Sequence, residues 1–394
     1  MVSRLHFSQE LLDEIAGHLH DDVDALHTLS IVSSNFLPVC SELLFYTLRL
    51  HPGNLARWHD RIRERPVLTR LFRAVELYLS TLPAVDEQLI IFILDNLSRP
   101  NRIKIKNYRG EKLLWANIHI ELQKSLEKLI DKPTVRRLEV FNLKDIPFSF
   151  FSGITHLQRI KFASSTFAMP RSALRPNPEW ESTCSQTPSL ETPVRELSIS
   201  GNQEHYNLVG HRQCPLRNLN LRWLEVDFLP SNVDQVQHLL SGCGQSLRYL
   251  YILMRGGSAS LRHLAGLQVL QFYFFIMPYL GKEATLRSIS GLSSTLSSLQ
   301  NADDGQSRPR LEKIIIAVTI MPISLRDIPP KVWTDLDSVL GHIQVQTVQI
   351  VMTCLSEDRA LMPDWAVLLP TFNGSGRLVS NFSDHVGWIP RRPS

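Results

Sequence analysis

The sequence is poor in cysteine, and its cysteines follow no recognisable pattern. The 394 residues include five, at Cys40, Cys184, Cys214, Cys243 and Cys354, and none of them stands in a Cys-x-x-Cys pair. A disulfide framework would require an even set, and a zinc module would require closely spaced ligands. We therefore expect reduced thiols and a protein of the cytoplasm or nucleus.

Long apolar runs are also missing. The longest apolar stretch lies around Leu267 to Met277, far shorter than the roughly 20 residues of a membrane-spanning helix. The first residues, MVSRLHFSQELLDEI, place acidic side chains where a signal peptide would carry an apolar run. These features predict a soluble protein without a membrane partner.

An excess of one charge is missing as well. The chain has 42 basic and 38 acidic residues, a formal net charge of +4, which gives little attraction to phosphate backbones. One basic run, RIKIKNYRGEK, places Arg102, Lys104 and Lys106 on one side of a predicted strand. No aromatic residues alternate with these cations in the way that single-strand binding requires. We interpret the run as a solvated strand face and expect no nucleic-acid partner.

Motifs for catalysis and cofactor binding are absent. The sequence contains no H-E-x-x-H, no G-x-S-x-G and no glycine-rich phosphate loop. His205, His211 and Cys214 form the one compact group of possible metal ligands, and no fourth ligand lies nearby. We therefore expect no catalytic residue, no metal site, no cofactor and no enzymatic activity. An enzyme with an unrecognised site is the least favoured alternative.

What the sequence does contain begins with helices. Hydrophobic residues make up 43% of the chain, enough for a sizeable core. Near the N-terminus apolar residues recur at helical spacing, first Leu11, Leu12, Ile15 and Leu19 and then Leu26, Leu29 and Val32. Ser8 and the acidic residues around Asp22 are capping residues for these two helices. A third apolar cluster follows at 43–45, and the segment 46–50 alternates like a short strand.

From about residue 66 onward, short segments with the pattern L-x-x-L-x-L or L-x-x-I-x-I recur. The clearest lie at 135–143, 157–162, 194–200, 216–221, 247–252, 267–272, 311–316 and 345–350, with weaker versions at 73–79 and 102–106. Central apolar residues are 22 positions apart from Leu138 to Ile160 and 20 apart from Leu250 to Leu270. A leucine-rich repeat has a period of about 20–29 residues with one short strand each. Such units stack side by side because one strand cannot bury its own apolar face.

The segments between the strands complete the predicted organisation. Amphipathic stretches at 117–132, 233–240 and 333–343 are predicted outer helices. The proline-rich segment 165–193 and the Ser- and Gly-rich segment 281–310 are predicted loop insertions, and 381–394 a tail. The predicted fold class is α/β, with a three-helix module over 5–50 and an irregular leucine-rich-repeat-type solenoid with a curved parallel sheet over 66–380.

The segment HFSQELLDEIAGHLHDDVDALHTLSIVSSNFLPVCSELLFYTLRL resembles an F-box, a helical module that opens with Leu-Pro. The matching positions are Glu10, Leu11, Leu12, Ile15, Leu19, Leu26, Leu29, Val32 and Phe36. Phe7 and Ser8 stand where the family has Leu and Pro. With the repeats that follow, the chain looks most like the F-box and leucine-rich-repeat-like proteins abundant in mushroom-forming (basidiomycete) fungi.

The resemblance implies a substrate-recognition adaptor of a Skp–cullin–F-box ubiquitin ligase. The F-box would dock on a Skp-type subunit, and through it on a cullin, with Phe7, Leu11, Leu12, Ile15, Leu19, Leu26, Leu29, Val32 and Phe36. The repeats would hold an unknown protein substrate near the activated ubiquitin. The departure at Phe7 and Ser8 leaves a second reading open, an interaction scaffold with no ligase role whose N-terminal helices only cap the repeats.

Strand residues that point away from the core would form the concave face of such a solenoid. Solenoids use that face for recognition, and aromatic residues with arginine are typical anchors. The predicted substrate-binding residues are Glu139, Phe141, Lys161, Asn220, Arg222, Tyr249, Tyr251, Gln271 and Tyr273.

Overall fold

The structure is a computed structural model. It describes residues 8–20, 22–79, 84–107, 112–151, 156–168, 194–200, 220–276, 281–300, 311–320, 328–354, 368–371 and 378–383. The chain divides into two compact units, Met1–Leu157 with Ala168–Leu174 and Gln158–Phe167 with Arg175–Ser394. Each unit combines helices with parallel strands, so the predicted α/β class is confirmed.

The first unit begins with three helices and continues with strands and helices in alternation. Its helices are α1 (Gln9–His18), α2 (Val23–Val32), α3 (Leu37–Leu44), α4 (Leu55–Glu64), α5 (Ala84–Asn96) and α6 (Ile120–Ile130). Its strands are β1 (Thr47–Leu50), β2 (Ala74–Leu79), β3 (Arg102–Asn107), β4 (Leu113–Leu114), β5 (Arg137–Phe141) and β6 (Leu143–Lys144). β1, β2, β3 and β5 lie side by side in parallel, and β4 pairs with β6.

The second unit repeats the arrangement of parallel strands with helical connections. Its strands are β7 (Arg159–Ala163), β8 (Glu196–Ser200), β9 (Trp223–Phe228), β10 (Tyr249–Met254), β11 (Val269–Ile276), β12 (Lys313–Ile320), β13 (Thr347–Cys354) and β14 (Leu378–Ser383). Its helices are α7 (Val233–Gly242), α8 (Lys282–Ser297) and α9 (Pro330–His342). The eight strands among the described residues of this unit are all parallel and pair in chain order.

The repeated sequence pattern marks most of the strands. Apart from the segment at 216–221, each predicted strand overlaps an observed one, and the three predicted outer helices overlap α6, α7 and α9. The strand register pairs the central apolar residues, Ile160 with Leu197 and Leu250 with Leu270. These predicted strands and helices are confirmed. The pattern identifies them because an apolar face of one unit can be buried only by stacking on the next unit.

The same pair of backbone hydrogen bonds links the starts of successive strands. The carbonyl oxygen of Arg195 accepts hydrogen bonds from the N–H groups of Arg222 (2.8 Å) and Trp223 (3.0 Å). The carbonyl of Arg222 accepts equivalent bonds from Arg248 (3.0 Å) and Tyr249 (2.9 Å). The carbonyls of Tyr46, Arg73, Asn101, Gln158, Arg248 and Gln268 each accept such a pair as well. Both units therefore contain one structural unit that recurs along the chain.

An asparagine between strand and helix recurs as well. The Oδ1 atom of Asn54 accepts from the N–H of His51 at 3.0 Å, and its Nδ2 donates to the carbonyl of Arg49 at 2.9 Å. Asn232 makes the same two bonds, to the residues three and five positions before it, at 3.0 and 2.9 Å. Each asparagine closes the turn at the N-terminal end of the next helix, α4 or α7. The sequence pattern of the repeats did not single out these two residues.

The apolar core of the second unit lies between its strands and helices. β10 and β11 bury alternate residues, namely Leu250, Ile252, Met254, Leu270, Phe272, Phe274 and Ile276. α8 packs against both strands and buries Ile289, Leu292 and Leu296. Removing a side chain of this size from water stabilises the fold by about 1.5–3 kcal/mol.

The predicted strand at 216–221 is described only at Asn220 and Leu221, and these two residues precede the observed strand. The observed strand is β9, and the register aligns Leu224 rather than Leu219 with Leu197 and Leu250. The sequence contains two overlapping copies of the pattern, LRNLNL and LRWLEV, which share Leu221. The second copy forms the strand, since its residues are the ones that pair with β8 and β10. Residues 201–219 lie outside the described residues, and so do His205, His211 and Cys214.

The predicted loop insertion at 281–310 is wrong for most of its length, because residues 282–297 form α8. The composition of this segment suggested a loop because it is rich in small residues. In the helix these small residues lie on one face, where Thr285, Ser288, Gly291 and Thr295 are buried. The hydroxyl of Thr295 accepts from the N–H of Ala259 at 3.3 Å. A Cβ atom on Gly291 would overlap the carbonyl oxygen of Gly257. Small side chains are therefore what allows α8 to approach the backbone beside it.

Two further sequence predictions are only partly covered by the described residues. The proline-rich insertion is described only at 165–168, where Ser165 and Thr166 are buried, and the remainder lies outside the described residues. The predicted tail begins inside β14, which ends at Ser383. Cys40 and Cys243 are buried free thiols.

Candidate protein-binding surfaces

The three N-terminal helices form a small module with its own core. Asp22 caps α2, since its carboxylate accepts the N–H of Ala25 at 2.9 Å. Ser8 occupies the equivalent position before α1, but its side chain makes no capping bond. Ala16, Leu26 and Cys40 are the centre of the core, and Leu19, Leu29, Phe36, Val39, Leu43 and Leu44 pack around them. Each helix contributes one buried residue to this centre, so the module is held together from within.

The structure divides the predicted Skp-binding residues into three groups. Leu12 and Leu26 are buried, 5% and 1% exposed, so neither is available to a partner. Leu19, Leu29 and Phe36 are half-buried against the core. Leu11, Ile15 and Val32 are exposed, at 41%, 37% and 73%. Phe7 lies outside the described residues.

Further exposed apolar residues on the same module were not predicted from the sequence. They are Val23, Ile31, Leu37 and Tyr46, each more than a third exposed. An apolar pattern alone does not distinguish them from core residues, because the distinction depends on how the three helices meet.

The second candidate surface is the polar face of β1, β2, β3 and β5. Glu76 on β2 forms ion pairs with Lys104 on β3 at 3.3 Å and with Arg49 on β1 at 3.6 Å. Arg102 on β3 pairs with Glu139 on β5 at 2.9 Å. These pairs connect neighbouring strands and leave both carboxylates mostly buried.

Lys106 lies farther along β3, between two aromatic rings on the same face. Its Nζ atom is 5.3 Å from the ring centre of Tyr78 on β2 and 5.5 Å from that of Phe141 on β5. Burial and the adjacent ammonium group of Lys104 lower the pKa of Lys106. Among the residues that the structure describes, no carboxylate lies within 4.0 Å of this ammonium group. The faces of the two rings are favourable electrostatic contacts for this cation, and the carboxylates of Glu76 and Glu139 favour its charge from farther than 4.0 Å.

The ion pairs of Glu76 predict a dependence of stability on pH. Burial raises the pKa of Glu76, but the charge of Lys104 and hydrogen bonds from Lys104 and Tyr78 outweigh burial and hold the pKa below its usual value. Since this pKa is depressed by folding, the carboxylate stabilises the fold fully above its unfolded pKa, and the contribution is lost as the pH falls through the folded value. We expect Glu76→Gln to be less stable than wild type at neutral pH and to approach it in acid, as measured by urea denaturation across pH.

A matched control for this experiment is Glu121→Gln. The Glu121 carboxylate is 53% exposed in its pair with Lys124, and exposed pairs contribute little to stability. We expect its stability to follow that of wild type at each pH. A Glu76→Gln difference that stayed constant from neutral to acidic pH would contradict the role of the charge.

The corresponding face of the second unit begins with ion pairs. Arg159 lies 3.6 Å from Glu196, and its guanidinium group lies 5.8 Å from the ring centre of Trp223. Lys161 lies 3.9 Å from Glu225. This face of β7, β8 and β9 therefore carries two cations, Arg159 and Lys161, and three carboxylates, Glu196, Glu225 and Asp227, an excess of opposite sign to that on the first unit.

Aromatic side chains continue this face on β10 and β11. The rings of Tyr251 and Tyr273 stack with centroids 6.4 Å apart, and Phe275 meets Tyr273 edge-on at 4.9 Å. The hydroxyl of Tyr273 lies 2.7 Å from that of Thr319. Burial, followed by the charge of Glu225, raises the pKa of Tyr251, so this phenol stays protonated.

On β12 and β13 the same face becomes apolar. Ile315, Ala317 and Val351 form a buried cluster, and Val269 and Tyr273 pack against it. Ile315, Ala317 and Val351 are therefore core rather than surface. In the second unit, partner contacts are therefore expected on β7 to β11.

The structure places most of the predicted substrate-binding residues on the polar strand faces. Half-buried on the polar strand faces are Phe141, Lys161, Tyr249, Tyr251, Gln271 and Tyr273. Glu139 lies on the same kind of face but is mostly buried in its ion pair. Asn220 and Arg222 are exposed but precede β9, so predicting them as strand residues is wrong. Phe141 was predicted as a binding residue, but Tyr78 and Lys106 beside it were not, because the three residues come from three different strands.

Comparison with known proteins assigns the chain to no family. No family model matches the sequence, and no curated protein is similar enough to count as a match. Within the described ranges, no group of three or more His, Cys, Asp and Glu side chains is placed to hold a metal ion. None of the described helices has both the length and the apolar character of a membrane span. The function is therefore inferred from the geometry of the N-terminal module and of the polar strand faces.

Proposed function

We propose that this protein is a substrate-recognition adaptor of a Skp–cullin–F-box ubiquitin ligase. In this proposal α1 to α3 dock on a Skp-type subunit, and the polar strand faces bind a substrate protein. The chain itself makes and breaks no covalent bond. Its contribution is to hold the substrate close to the subunits that carry activated ubiquitin.

The observation that carries the proposal is the pair of exposed apolar residues on α1. Leu11 and Ile15 are four positions apart and therefore lie on one side of the helix. Both are more than a third exposed, while the core of the module is filled by other residues. They coincide with two of the apolar positions in the F-box resemblance. An apolar helical surface of this kind is what docking on a Skp-type subunit requires.

Substrate binding by the strand faces is supported by two recurring features, the pair of backbone hydrogen bonds between successive strands and the asparagine found in both units. Register-equivalent residues of β8, β9 and β10, Leu197, Leu224 and Leu250, are 27 and 26 positions apart. One parallel strand per unit of this length is how leucine-rich repeats are built. We therefore propose an irregular leucine-rich-repeat-type solenoid, whose polar strand faces are the recognition surface.

The test is a calorimetric titration of the full chain with a purified Skp-type subunit from a mushroom-forming fungus. We expect measurable binding by the wild type. The Leu11→Asp, Ile15→Asp double variant should weaken it about 100-fold or more, because two buried apolar contacts are lost and charges are placed in an apolar interface. Leu12 is left unchanged because aspartate there would disrupt the core of the module.

The matched control is the double variant Val67→Asp, Val85→Asp. These valines are 62% and 71% exposed and lie in the first unit outside α1 to α3. The control should bind the Skp-type subunit as the wild type does. An equal loss in both double variants would show that the effect is not specific to the F-box-like module, and would count against the proposal.

The alternative function is an interaction scaffold with no ligase role. The observation that favours it is at the start of α1, where Ser8 replaces the proline of the F-box pattern and makes no capping bond. A well-folded wild-type chain that fails to bind the Skp-type subunit would establish this alternative over the adaptor.

A further inference from the structure

We infer that the polar face of β1, β2, β3 and β5 binds an extended, carboxylate-rich segment of a partner protein, with Lys106 and Arg137 as the anchoring cations. The inference names the class of segment that the proposed adaptor function would recognise, and to that extent it rests on that function. The binding event itself requires only this face.

The charge balance of the face is the first support. It carries five cations, Arg49, Arg102, Lys104, Lys106 and Arg137, and two carboxylates, Glu76 and Glu139. Both carboxylates are already engaged by cations within the face. In the described ranges, Lys106 and Arg137 have no carboxylate within 4.0 Å. The face is therefore complementary to added negative charge.

The environment of Lys106 is the second support. Its ammonium group is partly desolvated and adjacent to that of Lys104, and both effects disfavour its charge. A carboxylate supplied from outside would offset this cost through a charge-assisted hydrogen bond. The rings of Tyr78 and Phe141 beside it offer apolar contact to the rest of an incoming chain.

The spacing of the two cations favours an extended segment. Arg137 is level with Arg102 in the register, and Lys106 is level with Phe141. The two cations are therefore four positions apart along the strands, about 13 Å at 3.3 Å per residue. In an extended chain alternate side chains share one side, so carboxylates four positions apart reach both cations.

The same contacts argue against a nucleic acid on this face. In proteins that bind single-stranded nucleic acid, the bases stack on free aromatic rings. Here Lys106 lies over the rings of both Tyr78 and Phe141, and Lys104 lies 5.6 Å from the ring centre of Phe141. A carboxylate can contact these ammonium groups without displacing them, whereas a stacked base cannot.

The test is fluorescence anisotropy of the full chain with two labelled peptides at low salt. One peptide carries two glutamates four positions apart among serines and threonines, and the other carries glutamines instead. We expect the glutamate peptide to bind more tightly. Lys106→Met should weaken its binding about tenfold or more, the size of one lost charge-assisted contact. Lys124→Met, on the exposed surface of α6, should bind as wild type does.

Several outcomes would overturn the inference. Equal binding of the two peptides would do so, as would an equal loss in Lys106→Met and Lys124→Met. Displacement of the peptide by single-stranded RNA at lower concentration than by unlabelled peptide would identify a nucleic-acid surface instead. Lys106→Met should retain the wild-type unfolding midpoint, since the two side chains are similar in length, so that lost binding reflects the charge.

Binding of the Skp-type subunit by the same variants separates this inference from the proposed function. Both lysine variants should bind that subunit as wild type does, because Lys106 and Lys124 lie outside α1 to α3. If the glutamate peptide does not bind but the Skp-type subunit does, only the proposed carboxylate site is overturned. Peptide binding without Skp binding would overturn only the adaptor role.

Discussion

Replacement of Phe272 by alanine is expected to lower the free energy of unfolding by about 3–5 kcal/mol. Phe272 has no exposed surface and lies in the middle of β11, on the buried side of the strand. β11 is hydrogen-bonded to β10 and β12, so the strands cannot close around the cavity that the ring would leave. Chemical denaturation followed by circular dichroism measures the difference.

The control for this prediction lies three residues farther along the same strand. Phe275 is half-buried on the opposite face, where it meets the ring of Tyr273 at 4.9 Å. Phe275→Ala should cost about 1 kcal/mol, chiefly the lost ring contact. Equal losses in the two variants would contradict the placement of the core on the Phe272 side of β11.

Replacement of Gly291 by alanine is the second large effect, and its sign is opposite to that expected from helix propensity. Alanine is normally favoured over glycine inside a helix by about 1 kcal/mol. In α8, however, the added Cβ would overlap the backbone carbonyl oxygen of Gly257, and neither backbone can move aside as a side chain would. We expect a net destabilisation of about 1–3 kcal/mol in chemical denaturation, as for other overpacked sites.

Gly17 provides the matched control for Gly291. It lies in α1, and a Cβ atom added there meets nothing within 4 Å. Gly17→Ala should therefore raise the stability of the protein, by up to about 1 kcal/mol. The same substitution in two helices then differs only in the tertiary contact. Stabilisation by both variants would show that α8 does not pack against the backbone at Gly257.

The two candidate surfaces use side chains that the fold does not need for its core. Leu11 and Ile15 lie outside the core of the N-terminal module, and Lys106 lies outside the ion pairs of its strand face. Their replacement should consequently alter binding much more than stability. This separation is what makes the binding predictions testable with folded variants.

Much of the fold could be predicted from the sequence because local periodicity is a direct consequence of burial. Leu250 and Ile252 alternate with half-buried residues along β10, as a strand with one buried face requires. In α6, Leu122, Leu126 and Leu129 recur at helical spacing and are all buried. Each pattern is set by an element's own geometry, so a single segment was enough to recognise it.

The predictions failed where one segment allows two solutions. LRNLNL and LRWLEV compete for the same strand, and pairing with β8 and β10 selects the second. In α8 serine, threonine and glycine suggest a loop by composition, yet their small size suits a helix packed against backbone. In both cases the deciding contacts come from residues distant in sequence.

By itself the sequence determined the α/β class, most strands, the outer helices α6, α7 and α9 and the helical start, because these depend on residues close together in the chain. Only the tertiary structure decided that Leu12 is buried while its neighbour Leu11 is exposed, since that depends on how three helices meet. Only the tertiary structure brought Lys106 between Tyr78 and Phe141. A binding surface is assembled across neighbouring elements, and periodicity within one element does not specify which side chains of the next will face it.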